Sequence, residues 1–381
     1  MSAEHIFHNK KIGSKMHDGI YLNNAGTSYP KPQASLDALS RAAQWSPRES
    51  WSDIEAVTNS FKDFLNIPKS HRMFFTNSCT SGINILLNSM AWAPGDVILS
   101  SGMEHYACSG VIDSLVQNIG IIHKVVPYHS DHIFSLDECE RLLSEHKVKL
   151  IICCHGSNLT GDVFPLGKIS DLAHAHGAMV LGDFAQTAGV IPIDVSELGV
   201  DLCAFTGHKG LLGPLGTGLI SMDKSVKLAR SPATCDFNTG ACETELSFCD
   251  VGSLNTAGVA SLGASLIWLQ ENHPKGTGSY TFRAFHLLVE ELKKLPLKLY
   301  YARDGESSLP IASFVPTKGS CEDLAKQLFA QGVHVGYGQL CAPLAHRSLG
   351  TLDTGVLRIS PSVFNTEDDI KGFIGHLQKM L

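Results

Sequence analysis

DLCAFTGHKGLLGPLGTG, residues 201–218, joins an apolar run to a loop rich in glycine, with Lys209 just past the junction. The run reads as a strand. A lone lysine in a loop is ordinarily a solvated surface group. Here the glycines allow a backbone to approach a ligand closely, and Thr206 offers a hydroxyl just before His208 and Lys209. Upstream, VLGDFAQT (residues 180–187) ends a second strand on an acid, Asp183. An acid and a lysine at the ends of successive strands suggest one site rather than two accidents.

Working outward, apolar runs alternate with helical patterns. RMFFTN, DVILSS, IIHKVVPY, KLIICCH, MVLGDF, DLCAFTG and GTGLISM read as strands. SGINILLNSMAWA, GVIDSLVQNIG, SLDECERLLSEH and KISDLAHAHG read as helices, the third opening at Ser135 and the fourth closing at Gly177. This alternation predicts an α/β domain with a mostly parallel sheet covered on both faces. Ligands bind such sheets beyond the carboxyl ends of the strands. Beyond about residue 262 two long helices, SLIWLQENH and FRAFHLLVEELKKL, precede IASFVPT, GVHVGYG and GVLRISP, strands around the helix CEDLAKQLFAQ. The expected organisation is an N-terminal arm over 1–20, a large domain over 21–262 and a smaller α+β domain over 263–381, against which the N-terminal segment packs.

The 381 residues are 44% hydrophobic and 18% charged, enough for a large core. A net charge of −7 without a basic face argues against nucleic acid as a partner. No apolar run is long enough to span a bilayer, and the N-terminus lacks a signal-peptide core. A cytoplasmic protein is therefore expected. Eleven cysteines in such a chain are expected to be reduced. Cys153, Cys154 and Cys203 fall in apolar runs and read as small hydrophobes. Cys235, Cys242 and Cys249 are evenly spaced, but with no CxxC pair or adjacent histidine they read as independent thiols, and no metal site is expected. His174 and His176 read as the exposed end of a helix.

Pyridoxal phosphate needs what these strand ends offer. A lysine carries it as a Schiff base, and a carboxylate keeps its pyridine nitrogen protonated so that the ring can accept electrons. Its phosphate needs N–H donors and hydroxyls. NSCTSG (residues 77–82) lies between a strand and a helix, where unpaired N–H groups and the helix dipole favour an anion.

With these pieces in this order, the chain resembles the class V aminotransferase-type enzymes, fold-type I pyridoxal phosphate proteins that include cysteine desulfurases and selenocysteine lyases. The resemblance runs from IYLNNAGTSYPKP to VLRISPSVFNTEDDI, and it implies a seven-stranded, mostly parallel sheet in the large domain. By resemblance, Lys209 carries the cofactor, Asp183 pairs with the pyridine nitrogen, and Gln186 bonds the phenolic oxygen. His105, in GMEHYACSG, stacks on the ring and relays protons. Cys79, Thr80, Thr206 and His208 hold the phosphate. Ser253 stands where the family usually has a threonine reaching the partner subunit's phosphate, which implies a homodimer with shared active sites. Asn24, Asn158 and Arg358 bind a small amino-acid substrate, the arginine by planar pairing with its carboxylate.

Cys341, in GYGQLCAPLAH (residues 336–346), falls where a persulfide-forming thiol stands in that family. The implied activity is cysteine desulfuration. Lys209 takes the α-proton of L-cysteine and the Cys341 thiolate attacks its sulfur, leaving alanine and an enzyme persulfide that a sulfur-acceptor protein discharges. Selenocysteine lyase, a β-eliminating C–S lyase, or an aminotransferase or epimerase acting on another amino acid are the alternatives. The chain departs from the pattern at several places. Asn23 and Gly26 replace an aspartate and an alanine, and QWSPRESWSD (residues 44–53) replaces a Gly-rich stretch bearing His and Arg. Gly336 and Leu340 stand where desulfurases usually have an arginine and a histidine.

Overall fold

The computed structural model describes residues 19–46, 50–129, 134–226, 228–229, 254–302 and 308–381. Nearly all of the expected arm, part of QWSPRESWSD, the cysteines at 235, 242 and 249, and Ser253 lie outside them. Along the chain, β1 is Ile20–Tyr21, β2 His71–Thr76, β3 Val97–Ser101 and β4 Ile122–Val126. Then come β5 Val148–Cys154, β6 Met179–Asp183, β7 Leu202–Thr206 and β8 Gly218–Asp223. The C-terminal part adds β9 Leu297–Tyr301, β10 Ala312–Pro316, β11 Val333–His334, β12 Gly336–Gly338 and β13 Val356–Ile359.

The seven strands β2 to β8 form one sheet in the order β2-β8-β7-β6-β5-β3-β4. All pairings are parallel except the two made by β8. The fold is the expected α/β one, and the seven runs read from the sequence are its seven strands. β3 and β7 are buried along their whole length, which is why they read as unbroken apolar runs. Successive residues enter opposite cores, as the strand period requires. Ile98, Leu150, Ile152, Leu181 and Ala204 pack under the helices Cys79–Ser89 and Tyr106–Ile119. Leu99, Ile151, Cys153, Val180, Cys203 and Phe205 pack on the other face, with Leu262, Leu266 and Leu269 of the helix Thr256–Asn272. That helix is continuous across position 262/263.

β9, β10, β13 and β12 form an antiparallel sheet in the order β12-β13-β10-β9. GVHVGYG, expected as one strand, divides into β11 and β12. β11 pairs with β1 and β12 with β13, so the chain changes sheets at Val335. The β1–β11 pairing carries Leu22 into the core of the smaller sheet and sets Asn23 opposite Ser360. His174, at the end of its helix, places Nε2 2.9 Å from Asp201 at the surface. No helix among the described residues is long and apolar enough to cross a membrane.

Candidate active site

β6 and β7 run side by side with Asp183 opposite Ala204. Asp183, the last residue of β6, and Lys209, just past β7, therefore face the same sheet edge, and both line a cavity of about 220 Å³. Antiparallel β8 closes this corner. A Cβ on Gly218 would stand 2.5 Å from the carbonyl carbon of Ser78, so glycine lets β8 start against the N-terminus of the helix Cys79–Ser89. Cys79 and Thr80 line the cavity from that N-terminus, and Thr206, His208, Asn158, Gln186 and His105 line it from other sides.

Asp183 is buried. Its Oδ1 accepts from Ala185 N–H at 2.8 Å and from the Cys79 thiol at 3.3 Å, while Oδ2 faces the Cys108 sulfur at 4.0 Å. Burial, then the Asp183 charge, pushes the Cys79 thiol well up, so it stays a donor. Lys209 is pulled below the usual lysine range by burial and by the Arg358 charge, against the opposing pull of Asp183, Cys79 and Cys341. A neutral amine, nucleophilic and basic, is thus more accessible there than on a surface lysine. His105 caps the helix Tyr106–Ile119, its Nδ1 accepting from Ala107 N–H at 3.0 Å. That bond leaves the proton of the neutral ring on Nε2. Burial and Lys209 lower His105 to about 4, so the ring is uncharged at neutral pH.

Arg358, on β13, is buried and crosses to the large sheet. Its Nη1 donates to Asn158 O at 3.0 Å and its Nη2 to Asn23 Oδ1 at 2.8 Å. Residues 20–373 match the family model described as Aminotransferase class-V. The chain belongs to that family. Class-V aminotransferase-type enzymes depend on pyridoxal phosphate. The chain is 29% identical over 386 residues to a probable cysteine desulfurase of Mycolicibacterium paratuberculosis, covering 95% of this chain and 55% of that longer protein. It is 27% identical over 385 residues to a cysteine desulfurase of Shigella flexneri, covering 94% and 93% of the two. An apo cysteine desulfurase from Thermococcus onnurineus shares the fold, with a TM-score of 0.86 over 95% of this chain and 94% of that one, at 21% identity.

In this class-V chain Cys341 is exposed, on a loop pinned to the cavity wall. Asn158 Nδ2 donates to Leu340 O at 3.0 Å, and Tyr106 N–H, next to His105, donates to Cys341 O at 2.6 Å. Leu340 and Cys341 hold φ of 47° and 56°, a left-handed pair that non-glycine residues avoid at about 1–2 kcal/mol each. Such strain persists where surrounding contacts enforce it. The sulfur is close enough for a charge on it to act on both Lys209 and Arg358. The helix Pro343–Leu349 follows directly, so CAPLAH is two loop residues followed by the first four of a helix.

Other placements depart from the sequence reading. Asn24 is tied to backbone, its amide donating to Ser360 O at 3.0 Å and accepting from Tyr29 N–H at 3.0 Å, while it is Asn23 that meets Arg358. Gln186 lines the cavity, and its Nε2 donates to Ala25 O at 3.1 Å. Gly336, where desulfurases usually have an arginine, has little room for a side chain unless Asn23 and Arg358 move. A Cβ there would lie 2.9 Å from Asn23 Oδ1 and 3.3 Å from Arg358 Nε.

Two ionisable groups were not foreseen. Glu104, beside His105, is fully buried, and burial lifts it to about 7. One of its oxygens accepts from Cys154 N–H at 2.8 Å and from the Ser101 hydroxyl. Lys31 reaches the peptide before Lys209, donating to His208 O at 2.9 Å and to Ser28 Oγ at 2.6 Å, and burial lowers it to about 7. An acid within the apolar GMEHYAC was the available signal for Glu104; Lys31 had none.

Proposed function

We propose that this chain is a pyridoxal phosphate-dependent cysteine desulfurase that converts L-cysteine to L-alanine and holds the sulfur as a persulfide on Cys341. The observation that carries this reading is the pinning of the Cys341 loop to Asn158 and Tyr106, beside the cavity that holds Lys209 and Asp183. The residues fit the cofactor. Asp183 Oδ2 is a buried acceptor facing only a thiol at 4.0 Å among the described residues, suited to a protonated ring nitrogen. Thr80 and the end of a helix dipole, with the unpartnered His208 Nδ1, suit a phosphate. Bound there, pyridoxal phosphate supplies an electron sink for the α-carbon of an amino acid.

The residues divide the work. Lys209 holds the cofactor, then takes the α-proton on its amine, which burial keeps weakly basic for a lysine. Arg358 binds the substrate carboxylate. His105, neutral with its proton on Nε2, offers that N–H as a hydrogen-bond donor in the site. The Cys341 thiolate attacks the substrate sulfur; the C–S bond breaks, its electron pair returns to carbon, and protonation there gives alanine. The sulfur stays on Cys341 until an acceptor protein or a reductant removes it. We further infer a homodimer with shared active sites and a cytoplasmic location.

The test is product analysis with L-cysteine and a reductant. Alanine and sulfide in equal amounts are expected, with a persulfide on Cys341 by mass spectrometry when the reductant is left out. Pyruvate in place of alanine would replace this reading with β-elimination.

A further inference from the structure

The Arg358 end of the site has an electrostatic asymmetry. Arg358 is 3% exposed, and both groups its guanidinium donates to, the Asn158 carbonyl and the Asn23 side-chain oxygen, are neutral. Its Nε has no partner. Among the described residues no carboxylate pairs with it. Its charged or titratable neighbours are Lys209, His105, Tyr21 and Cys341, none of them a carboxylate. Asp183, the acid of the cavity, is engaged with Cys79 and Ala185. A buried charge left in this state is stabilised by whatever anion reaches it.

Position 23 is where the protein itself could supply that anion. Its side-chain oxygen already sits 2.8 Å from Nη2, so aspartate there would make a buried ion pair with no other change of shape. Gly336 leaves the arrangement undisturbed, because a Cβ there would lie 2.9 Å from the Asn23 oxygen and push against it.

We propose that Asn23 is a specificity-determining residue. By holding Arg358 with a neutral amide, it orients the guanidinium while leaving its charge for the carboxylate of an amino-acid ligand. This rests on Arg358 being the carboxylate-binding group of the proposed reaction, and it adds that the identity of residue 23 sets how strongly that group discriminates. Asparagine favours carboxylate-bearing amines over bare amines; aspartate would reduce the preference and stabilise the empty protein.

The experiment compares L-alanine with ethylamine, the same amine without the carboxylate. Each is titrated into the cofactor-loaded protein and followed by visible absorbance, in wild type, Asn23→Asp and Asn23→Ala. Wild type is expected to prefer L-alanine. Asn23→Asp is expected to bind L-alanine roughly tenfold or more weakly, with ethylamine unchanged, since a like charge then faces the incoming carboxylate. It is also expected to melt at a higher temperature without cofactor. Asn23→Ala, neutral, keeps the preference. Equal weakening of both amines in Asn23→Asp, unchanged L-alanine binding, or a wild type that does not prefer L-alanine would each overturn the proposal. If L-cysteine yields no alanine while Asn23→Asp still separates the two amines, the desulfurase reading falls and this one stands.

Discussion

At the scale of single residues, the proposed chemistry needs two groups that do different things, and substitution should separate them. Cys341→Ala removes the group that accepts sulfur but leaves Lys209, Asp183 and the cavity untouched. Alanine formation from L-cysteine should fall on the order of a hundredfold or more, as when a chemical participant is removed, while the cofactor's visible absorbance stays as in wild type. Lys209→Ala should lose both. A Cys341→Ala protein that still makes alanine at the wild-type rate would rule out the thiol as sulfur acceptor. Asp183 and Lys209 could be read as neighbours of one sheet edge because they lie at and just past the ends of apolar runs, whereas His105 came only from the resemblance of GMEHYACSG to the family. The Asn23–Arg358 bond was not legible. Its members are 335 positions apart, and only the joining of β1 to the smaller sheet brings them together.

At the scale of elements, the antiparallel strand β8 places the helix Cys79–Ser89 at the edge of the cavity. Gly218 touches the backbone of Ser78 and Cys79, with a Cβ position only 2.9 Å from Cys79 N, and backbone cannot rotate aside as a side chain can. Gly218→Ala should therefore push the helix Cys79–Ser89 away from β8. The expected cost is about 1–3 kcal/mol of stability, the range for overpacking, together with weaker retention of pyridoxal phosphate. Chemical denaturation and cofactor release on dilution check the two effects separately. Unchanged stability would mean that β8 yields instead. The central strands of the large sheet, β3 and β7 above all, were legible because burial on both faces keeps their sequences mostly apolar. β9, LKLYY, was not: it is only five residues long, carries a lysine, and follows four residues after a long helix whose pattern masks it. β11 and β12 read as one strand because no turn residue separates them, and their division depends on pairing partners that a local pattern does not contain.

At the scale of the whole molecule, the core that builds the site also ties stability to pH. His105, His155 and His208 are each lowered from 6.5 to about 4, chiefly by burial. In the unfolded chain they take up protons near 6.5, while in the folded protein they do so only near 4. The unfolded state therefore binds more protons between these values, and stability falls as the pH drops from 6.5 to 4. Glu104 works in the opposite sense. Raised from 4.5 to about 7, it holds its proton in the folded protein while the unfolded chain has lost it, so its contribution falls as the pH rises from 4.5 to 7. One pKa unit corresponds to about 1.4 kcal/mol, and three histidines outweigh one carboxylate. The melting temperature should fall on acidification from pH 6.5 to 4.5. His155 is the cleanest probe, since it is buried beside Phe184 with Nδ1 at 3.1 Å from Thr187 Oγ1 and does not line the cavity. His155→Gln should flatten the decline and Glu104→Gln should steepen it, both measured by scanning calorimetry without cofactor. A melting temperature independent of pH over this window, or the same change of slope in both variants, would show that these buried groups do not control acid stability.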